Sequence, residues 1–445
     1  AICKCCGEKI SIKGGSTTAI SRHLLTYHSN EINKEPQTSS KEITQILLDF
    51  IIETNSSFSI VESSNFNLLL TTIQNSSYNY NCPSRRDLTR KLNDKFIQKK
   101  ELLQNYLNSQ DNNYSICSDG WTSTANIGFI ATTYNFISSN WEIKTGLLLF
   151  EERPKHTGLI INEHFNNIKT DYNLSSKLFS LTTDSAKAYR TANTLSNIKY
   201  HIKCVCHKLH TCIINGLQDS DDNIINLIKK CKQIVSYFKH SKNAENLLQN
   251  KNEINYYKLV QANKTRWNST YYMIKRILLM KVEISQILVQ LSKFDLILLE
   301  EDINILINLQ KLLKPFNTWT KEFSQENKIT LSSVLPMYSN LSSHLQSINN
   351  NDFTSIQTLK NKILNELNSR FQNLPDIYLV ATYLDPPYKK FLFIQNENKQ
   401  NQLLIQAQNK LQNILPLNNN NLGTIENSTS RLSKLLTKYV CPPLV

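Results

Sequence analysis

The pattern of apolar and polar residues divides the chain into stretches of different character. Residues 1–30 are rich in cysteine and histidine, and a polar linker follows at 31–41. Residues 42–110 have helical periodicity, and 112–217 mix strand and helix patterns. Residues 218–445 are almost wholly helical in pattern. We therefore predict an α+β multidomain protein with divisions at these boundaries.

The start of the 42–110 stretch shows its periodicity most clearly. Ile43, Ile46, Leu47 and Phe50 recur at helical spacing. Apolar residues three and four positions apart lie on one face of a helix, so this stretch predicts a helical bridging domain.

The mixed stretch carries the topological information. The β-branched and aromatic runs predict strands, and the runs of 3.6-residue period predict helices. The strands are expected at 114–119, 127–137, 141–150, 178–184 and 200–205, and the helices at 157–168, 185–195 and 207–217. The order is β-β-β-α-β-α-β-α, three antiparallel strands followed by crossover units. This order predicts a ribonuclease H-like core, with residues 218–445 as a large all-helical insertion.

The cysteines and histidines near the start have the spacing of a zinc site. Cys3 and Cys6 are separated by two residues, and His23 and His28 by four. Two thiolates on a tight turn and two imidazoles on one helix face can close a tetrahedral zinc site. A chance cluster is the alternative, and Cys5 could replace a neighbouring ligand. Four protein ligands would make the metal structural, and it would supply most of the folding energy of such a small module.

Basic residues around this module suggest a partner. Lys9, Lys13 and Arg22 would give it a basic side that could meet phosphates. A merely solvated surface is the alternative. We favour contact with double-stranded DNA.

Two carboxylates mark the expected core. Asp119 and Asp184 each close a predicted strand, and the first and fourth strands should lie side by side. Paired carboxylates can hold Mg²⁺ or Mn²⁺ ions that activate a nucleophile in phosphodiester chemistry. Aspartate is also common at strand ends and turns. From spacing alone the ordinary turn role is favoured.

Composition limits which partners and which cellular environments fit this chain. The net charge is +14, which favours a polyanionic partner. Ten cysteines in 445 residues are too few for a disulfide scaffold, so metal binding or buried thiols are expected. We expect no membrane association, because no apolar run approaches the length needed to cross a bilayer. The first residue is Ala1 rather than Met, and we expect the chain to be a fragment of a longer gene product.

Longer motifs resemble a known family. CKCC followed by STTAISRHLLTYH resembles the BED-type zinc finger. SICSDGWTS, LTTDSA, CVCHKLH and NKTRWNSTYYMIKR resemble, in that order, segments of the hAT transposases. FSIVE, CPSRR, LLKPFNTWTKEFS, SVLPMY and ATYLDPPYKKFLF occur in the same order in the BED-finger branch of that group. The resemblance covers most of the chain and implies a ribonuclease H-like fold with a helical insertion.

The resemblance also implies roles for individual residues. Asp119 and Asp184 would be two of three catalytic carboxylates, and Arg266 and Trp267 would lie near the active site and touch DNA ends. The pair Cys204 and His207 matches a Cys-x2-His element. We expect it to serve in packing or hydrogen bonding rather than in metal binding. The indole of Trp267 could equally be a buried helix-start residue.

The third carboxylate expected from the family is not recognisable. It should follow the insertion in a Ser-Glu-Arg-x-Phe context, and Glu426, in TIENS, is the only late candidate. Ser185 also stands where an asparagine is usual after the second aspartate. The C-terminal catalytic and dimerisation segment is therefore expected to be missing.

Three functions remain open. The favoured one is a nuclear, zinc-dependent DNA-binding protein that does not catalyse transposition in this form. The alternative is an active cut-and-paste transposase that uses Mg²⁺ or Mn²⁺. A weaker alternative is a protein-interaction scaffold built on the helical region, and a homo-oligomer is compatible with each.

Overall fold

The computed structural model falls into two compact units, Ala1–Gln110 and Asp111–Val445. The structure describes residues 2–3, 6–10, 18–27, 40–74, 83–110, 112–251, 258–263, 266–325, 328–347 and 353–414.

The described residues of the first unit form helices and a short turn near the start of the chain. Its helices are α1 (Thr18–Tyr27), α2 (Ser40–Thr54), α3 (Ser64–Gln74) and α4 (Arg85–Ser109), with a 3₁₀ turn at Phe58–Glu62. The hydroxyl of Ser84 begins α4 by accepting the N–H of Asp87 at 3.2 Å.

A small core joins the helices of this unit. Leu47, Leu48 and Ile51 of α2 pack with Val61 and Leu88. The predicted helix is therefore present, but its buried stripe is rotated from the expected set. The face of α2 that packs on Val61 and Leu88 carries Leu47, Leu48 and Ile51. Ile46 and Phe50 lie outside this face and are exposed.

The second unit begins with a five-stranded sheet. The strands are β1 (Tyr114–Thr122), β2 (Gly128–Ile137), β3 (Ile143–Glu152), β4 (Leu178–Thr183) and β5 (Tyr200–Lys203). Their order in the sheet is β3-β2-β1-β4-β5. The pairs β1–β2 and β2–β3 are antiparallel, and β1–β4 and β4–β5 are parallel. The first and fourth strands are neighbours, as the sequence predicts.

Three helices follow the strands. They are α5 (Gly158–Asp171), α6 (Lys187–Ser196) and α7 (Val205–Gln218). The element order β-β-β-α-β-α-β-α is the predicted one. Helices α5 and α6 cover one face of the sheet, where His164 of α5 meets Thr132 and Tyr189 of α6 meets Ser118.

The described remainder of the second unit consists mainly of helices. The helices are α8 (Asp222–His240), α9 (Lys242–Lys251), α10 (Trp267–Leu279), α11 (Lys281–Gln290), α12 (Glu300–Phe323), α13 (Val334–Gln346), α14 (Thr354–Phe371), α15 (Asp376–Leu384) and α16 (Glu397–Ile414), with 3₁₀ turns at Phe294–Leu296 and Leu331–Ser333. One hydrophobic core runs from Ile202 of β5 through α7 to Tyr378 of α15. The sheet and the helical region are thus joined through β5 and α7. None of the helices in the described part of the chain is both long and apolar enough to cross a membrane.

Candidate functional site

A tight turn near the start of the chain brings the first cysteines together. Ile2 and Lys9 form an antiparallel bridge. The N–H of Cys3 donates to the carbonyl of Glu8, and the N–H of Gly7 donates to the carbonyl of Cys3, each at 2.8 Å. Gly7 has φ +76°, a left-handed conformation that glycine adopts without steric cost. The turn therefore depends on the glycine that follows Cys6.

Helix α1 supplies the next ligand to this turn. The Nε2 atom of His23 lies 3.3 Å from the Sγ atom of Cys6. The ligand atoms of Cys3, Cys6 and His23 all lie within 4.8 Å of one another. Cys3 and His23 are buried, and Cys6 is exposed. The structure thus brings together three of the four predicted zinc ligands, while His28 and Cys5 lie outside the described residues.

The donor set fits a zinc ion. Two thiolates and an imidazole are ligands that zinc prefers, and a nitrogen and a sulfur bound to one tetrahedral zinc lie about 3.5 Å apart. The N–H of Glu8 lowers the pKa of the Cys6 thiol, but burial and the neighbouring Cys3 thiol raise it, and the net shift is upward. Without a cation, ionisation of the Cys6 thiol is therefore disfavoured, and a bound cation would reverse that preference.

A carboxylate supports the imidazole from behind. The Nδ1 atom of His23 lies 3.4 Å from an Oε atom of Glu8. An acceptor at Nδ1 fixes the tautomer that leaves Nε2 free to bind a metal. Neither Glu8 nor Gly7 was expected from the sequence, although both immediately follow the Cys-x2-Cys pair. Their position directly after Cys6 is the feature of the sequence that could have identified them as part of the site.

Three basic residues of the zinc module were expected to face a polyanion, and the structure describes two of them. Lys9 and Arg22 are exposed to solvent. Lys13 lies outside the described residues. Tyr27, on the same helix as Arg22, is 72% exposed and its ring is 5.2 Å from that of His23. The exposed cations are available to a polyanion.

The two aspartates converge in the second unit. Asp184 follows β4 directly. Asp119 does not end β1 as the sequence predicted, because the pairing of β1 with β2 continues through Trp121 to Thr122. The parallel register that pairs Cys117 with Thr182 brings the two aspartates level on neighbouring strands.

Each carboxylate is held by one backbone group. Asp119 accepts the N–H of Gly120 at 3.0 Å, and Asp184 accepts the N–H of Ala186 at 2.9 Å. Both bonds use Oδ1. Desolvation raises the pKa of Asp119, the charge of Asp184 adds to the rise, and the Gly120 N–H and His207 oppose it. A cation bound between the two carboxylates would offset their mutual repulsion and favour their ionised forms.

Among the residues that the structure describes, no third ligand joins this pair of aspartates. Within the described ranges, the one group of three His, Cys, Asp or Glu ligand atoms close enough to hold a metal is Cys3, Cys6 and His23. Glu426 lies outside those ranges. Asp119 and Asp184 therefore form a two-carboxylate site in the described structure.

Cys204 and His207 lie beside the aspartates at the start of α7. A hydrogen bond from the Cys206 thiol lowers the pKa of the Cys204 thiol, and N–H groups of the first helical turn add to this. The Cys206 thiol lies 3.5 Å from the hydroxyl of Ser324 on the helical side. His207 acts on Asp119 through its charge. The Cys-x2-His element is thus placed where the sheet meets the helical region.

Arg266 and Trp267 begin α10. Arg266 is exposed, whereas Trp267 is 2% exposed. The backbone N–H of Trp267 donates to Nδ1 of His210 on α7. The indole packs in the core, as the alternative of a buried helix-start residue has it, and in this position it is not open to stacking on a base. The guanidinium of Arg266 remains accessible.

A buried polar network, which was not expected from the sequence, lies beneath the sheet. The imidazole of His164 joins Glu151, at 2.5 Å from Nδ1, to the hydroxyl of Thr132, at 2.8 Å from Nε2. Thr132 donates to Ser118 at 2.9 Å, and Ser118 lies 3.5 Å from the Tyr189 hydroxyl. The chain of contacts fixes β1, β2, β3, α5 and α6 together.

Comparison with family models identifies the two parts of the second unit. Residues 117–230 match the ZBED1 RNase-like domain. Residues 202–309 match the ZBED1 RNase-like helical domain. The first match contains both aspartates and the Cys-x2-His pair, and the second contains Arg266 and Trp267.

Curated relatives agree with these matches. A Talaromyces stipitatus protein named as the transcriptional regulator tpeD is 23% identical over 419 residues, which cover 85% of this chain and 48% of that protein. An AC transposase of Zea mays is 26% identical over 321 residues, 67% of this chain and 39% of the relative. Human zinc finger BED domain-containing protein 4 is 24% identical over 223 residues, 49% of this chain and 18% of the relative. The chain spans about half the length of these relatives, or less. The family models and the relatives named as AC transposase and zinc finger BED domain-containing protein together support a hAT transposase-derived protein of the BED zinc finger group.

Proposed function

We propose that this protein is a zinc-dependent DNA-binding protein. The observation that carries the proposal is the convergence of Cys3, Cys6 and His23 on one point. We assign His28 as the fourth ligand, on its spacing from His23. Zinc bound there would tie the Cys3–Lys9 turn to α1, because such a small module has little apolar core of its own.

The DNA partner is supported by charge. The chain carries a net charge of +14, and Lys9 and Arg22 are exposed on the zinc module. Lys13 and the exposed Arg266 are further candidates for phosphate contacts. Lysine and arginine contacts to phosphates release bound counterions, so the affinity should fall steeply with salt. A DNA-binding role places the protein in the nucleus.

We propose that the same chain does not cut DNA. Asp119 and Asp184 supply two carboxylates, and metal-assisted strand transfer needs a fully bound metal pair. Because the described residues bring no third ligand to this pair, cation affinity and cleavage should both be low. The domain division that accompanies this proposal is a zinc finger at 1–30, a bridging domain at 42–110, a ribonuclease H-like core at 112–217 and a helical insertion from 218 onward.

Duplex binding by matched variants tests the proposal. Cys6→Ser and His23→Gln should each abolish zinc-dependent binding to a mixed-sequence duplex. Cys117→Ser, which changes an exposed cysteine outside the zinc module, should bind like the parent. Arg22→Gln should weaken binding to all sequences and reduce the salt slope by about one. Equal binding by the Cys6 and Cys117 variants would contradict a role for the metal.

An active transposase is the second candidate, and the geometry of the aspartates favours it. Both carboxylates use Oδ1 for their backbone bonds and can offer Oδ2 to a cation. Nicking of a duplex in Mn²⁺, lost in Asp119→Asn and Asp184→Asn, would establish this activity. We expect no difference between the parent and the two variants.

A further inference from the structure

Three cysteines of the second unit line one cavity between the sheet and the helical region. The cavity has a volume of about 540 Å³, and its walls include Cys117 of β1, Cys204 and Cys206. All three are free thiols. Phe323 of α12 and Leu331 lie on the helical side of the cavity. Its volume falls within the range of small-molecule sites, about 300 to 1,000 Å³.

Cys204 and Cys206 lie at the start of α7, with Val205 between them. The Cys206 thiol donates a hydrogen bond to the Cys204 sulfur. This bond lowers the pKa of the Cys204 thiol to about 7; burial opposes the shift, and the N–H groups of His207 and Cys206 add to it. The thiolate is the nucleophilic form of cysteine. The Cys204 sulfur therefore combines an activating thiol neighbour with access to a cavity.

The charges around the cavity favour an anionic molecule. Lys203 and Lys328 are among its lining residues, and both are exposed. None of the described residues that line the cavity is acidic. Positive charge at the walls of a cavity raises the local concentration of anions. A small anionic reagent that reacts with thiols would thus be drawn toward Cys204.

Of the other two thiols in the cavity, Cys206 is the one within reach of Cys204 for a disulfide. Cys117 pairs with Thr182 of β4, which pairs with Ile202 of β5. Two strand spacings of about 4.8 Å put Cys117 beyond the limit of about 7 Å between the Cα atoms of a disulfide. Val205 begins α7. Residues on either side of a helical residue have Cα atoms about 5.4 Å apart, which a disulfide can span.

We propose that Cys204 and Cys206 form a reactive dithiol site that reduces a small anionic disulfide in the cavity. The Cys204 thiolate attacks one sulfur of that disulfide, forms a mixed disulfide and releases the other half as a thiolate. The Cys206 sulfur then attacks the Cys204 sulfur and gives up its proton. The Cys204–Cys206 disulfide forms, and the second half leaves as a thiol. Two electrons pass from the chain to the incoming disulfide.

Oxidation would alter the contact between α7 and α12. In the dithiol form the Cys206 sulfur lies 3.5 Å from the Ser324 hydroxyl and 3.6 Å from the Thr320 carbonyl oxygen. The sulfur gives up both contacts when it turns to bond with Cys204. The site therefore links the redox state of two thiols to the packing of the helical region on α7. The proposal does not depend on zinc or DNA binding by the first unit.

Reaction of the reduced full-length chain with one equivalent of dithiobis(nitrobenzoate), an aromatic disulfide that carries carboxylates, tests the site. The parent chain should release both coloured thiolates, and peptide mass spectrometry should find an untagged Cys204–Cys206 disulfide that dithiothreitol reverses. Cys206→Ser should release one thiolate and keep the tag on Cys204. Cys204→Ser should slow the release at least about tenfold, because a thiol of ordinary pKa is mostly protonated near neutral pH. Cys117→Ser, in the same cavity, should react like the parent.

Three results would overturn the proposal. The parent chain could release one thiolate for each reagent and keep the tag on Cys204. Cys204→Ser could react as fast as the parent while circular dichroism shows that both chains are folded. The peptides could instead show a disulfide between Cys204 and Cys117. Duplex binding by the reduced parent chain is measured separately, so failure of the dithiol site is distinguished from failure of the proposed function.

Discussion

The imidazole of His23 is held between Glu8 and Cys6. Its Nδ1 atom lies 3.4 Å from the Glu8 carboxylate, and its Nε2 atom lies 3.3 Å from the Cys6 sulfur. One ring nitrogen is thereby directed to a carboxylate and the other to the metal ligands. This arrangement orients the ring without a metal, so Glu8 would support the binding of the proposed zinc ion without touching it.

Replacement of Glu8 tests that contribution. Glu8→Ala should weaken zinc binding about tenfold, because the histidine loses the acceptor that fixes its tautomer and orientation. Glu8→Gln keeps an acceptor oxygen and should lose less. Competition with a chromophoric chelator measures both affinities. Glu53→Ala, an exposed glutamate on α2, serves as the control. Parent-like affinity in Glu8→Ala would show that the contact has no supporting role.

The glycine after Cys6 gives a second prediction. Gly7 has φ +76°, and a Cβ placed there would meet no other atom within 4 Å. The cost of Gly7→Ala is therefore conformational, about 1 kcal/mol, which corresponds to about fivefold weaker zinc binding. Gly7→Asn should recover part of the loss, because asparagine tolerates this conformation. Isothermal titration with zinc distinguishes the three chains, and equal affinities would contradict the turn geometry.

The paired aspartates predict a cation-dependent change in stability. Asp119→Asn removes one of two like charges, so without divalent cations it should raise the free energy of unfolding slightly, by less than about 1 kcal/mol. Two carboxylates bind a cation only weakly, so Mn²⁺ in large excess should stabilise the parent chain slightly and leave Asp119→Asn unchanged, as thermal unfolding would show. Asp295→Asn, at an exposed aspartate, should respond like the parent. Equal stabilisation of all three would place the cation elsewhere.

The buried His164 predicts a dependence of stability on pH. Burial lowers the pKa of His164 below its ordinary value of 6.5, although Glu151 opposes the shift. The unfolded chain therefore takes up the proton first as the pH falls. The free energy of unfolding should be highest above pH 6.5 and should decline below it, by at most about 1.4 kcal/mol per pH unit.

Urea unfolding at pH 7.5 and pH 5.5 measures this effect. His164→Gln should be less stable at pH 7.5, by about 1 to 3 kcal/mol, because buried hydrogen bonds to Glu151 and Thr132 are disturbed. The same variant should lose less stability than the parent between the two pH values. His240→Gln, at an exposed histidine, should follow the parent. An unchanged pH dependence in His164→Gln would exclude His164 as its source.

Local patterns in the sequence were enough to predict the sheet. The order of strands and helices followed from period-two and period-3.6 runs, and the adjacency of β1 and β4 followed from that order. The end of β1 was misplaced because the Asp-Gly pair at 119–120 is typical of a turn. Pairing of Trp121 with Phe129 keeps the strand going, and such cross-strand contacts are not visible in one strand's sequence.

Contacts between distant segments escaped prediction. His164 is buried against Glu151 and Thr132, which lie on two different strands. Trp267 is buried because α10 packs against the helical core. The sequence motif alone does not show whether its indole is buried or exposed. The cluster of Cys3, Cys6 and His23 was predictable, because the Cys-x2-Cys and His-x4-His spacings are local features of the sequence. The supporting contact from Glu8 depends on where α1 lies against the turn.

Fluorescence anisotropy of a labelled duplex, titrated with the full-length chain, tests the central claim most directly. The titration is made with zinc and again after a chelator removes it, at about 50 mM and about 200 mM salt. We predict binding that requires zinc, returns when zinc is restored, and weakens strongly at the higher salt concentration. Binding that is the same in the presence and absence of zinc would contradict the account.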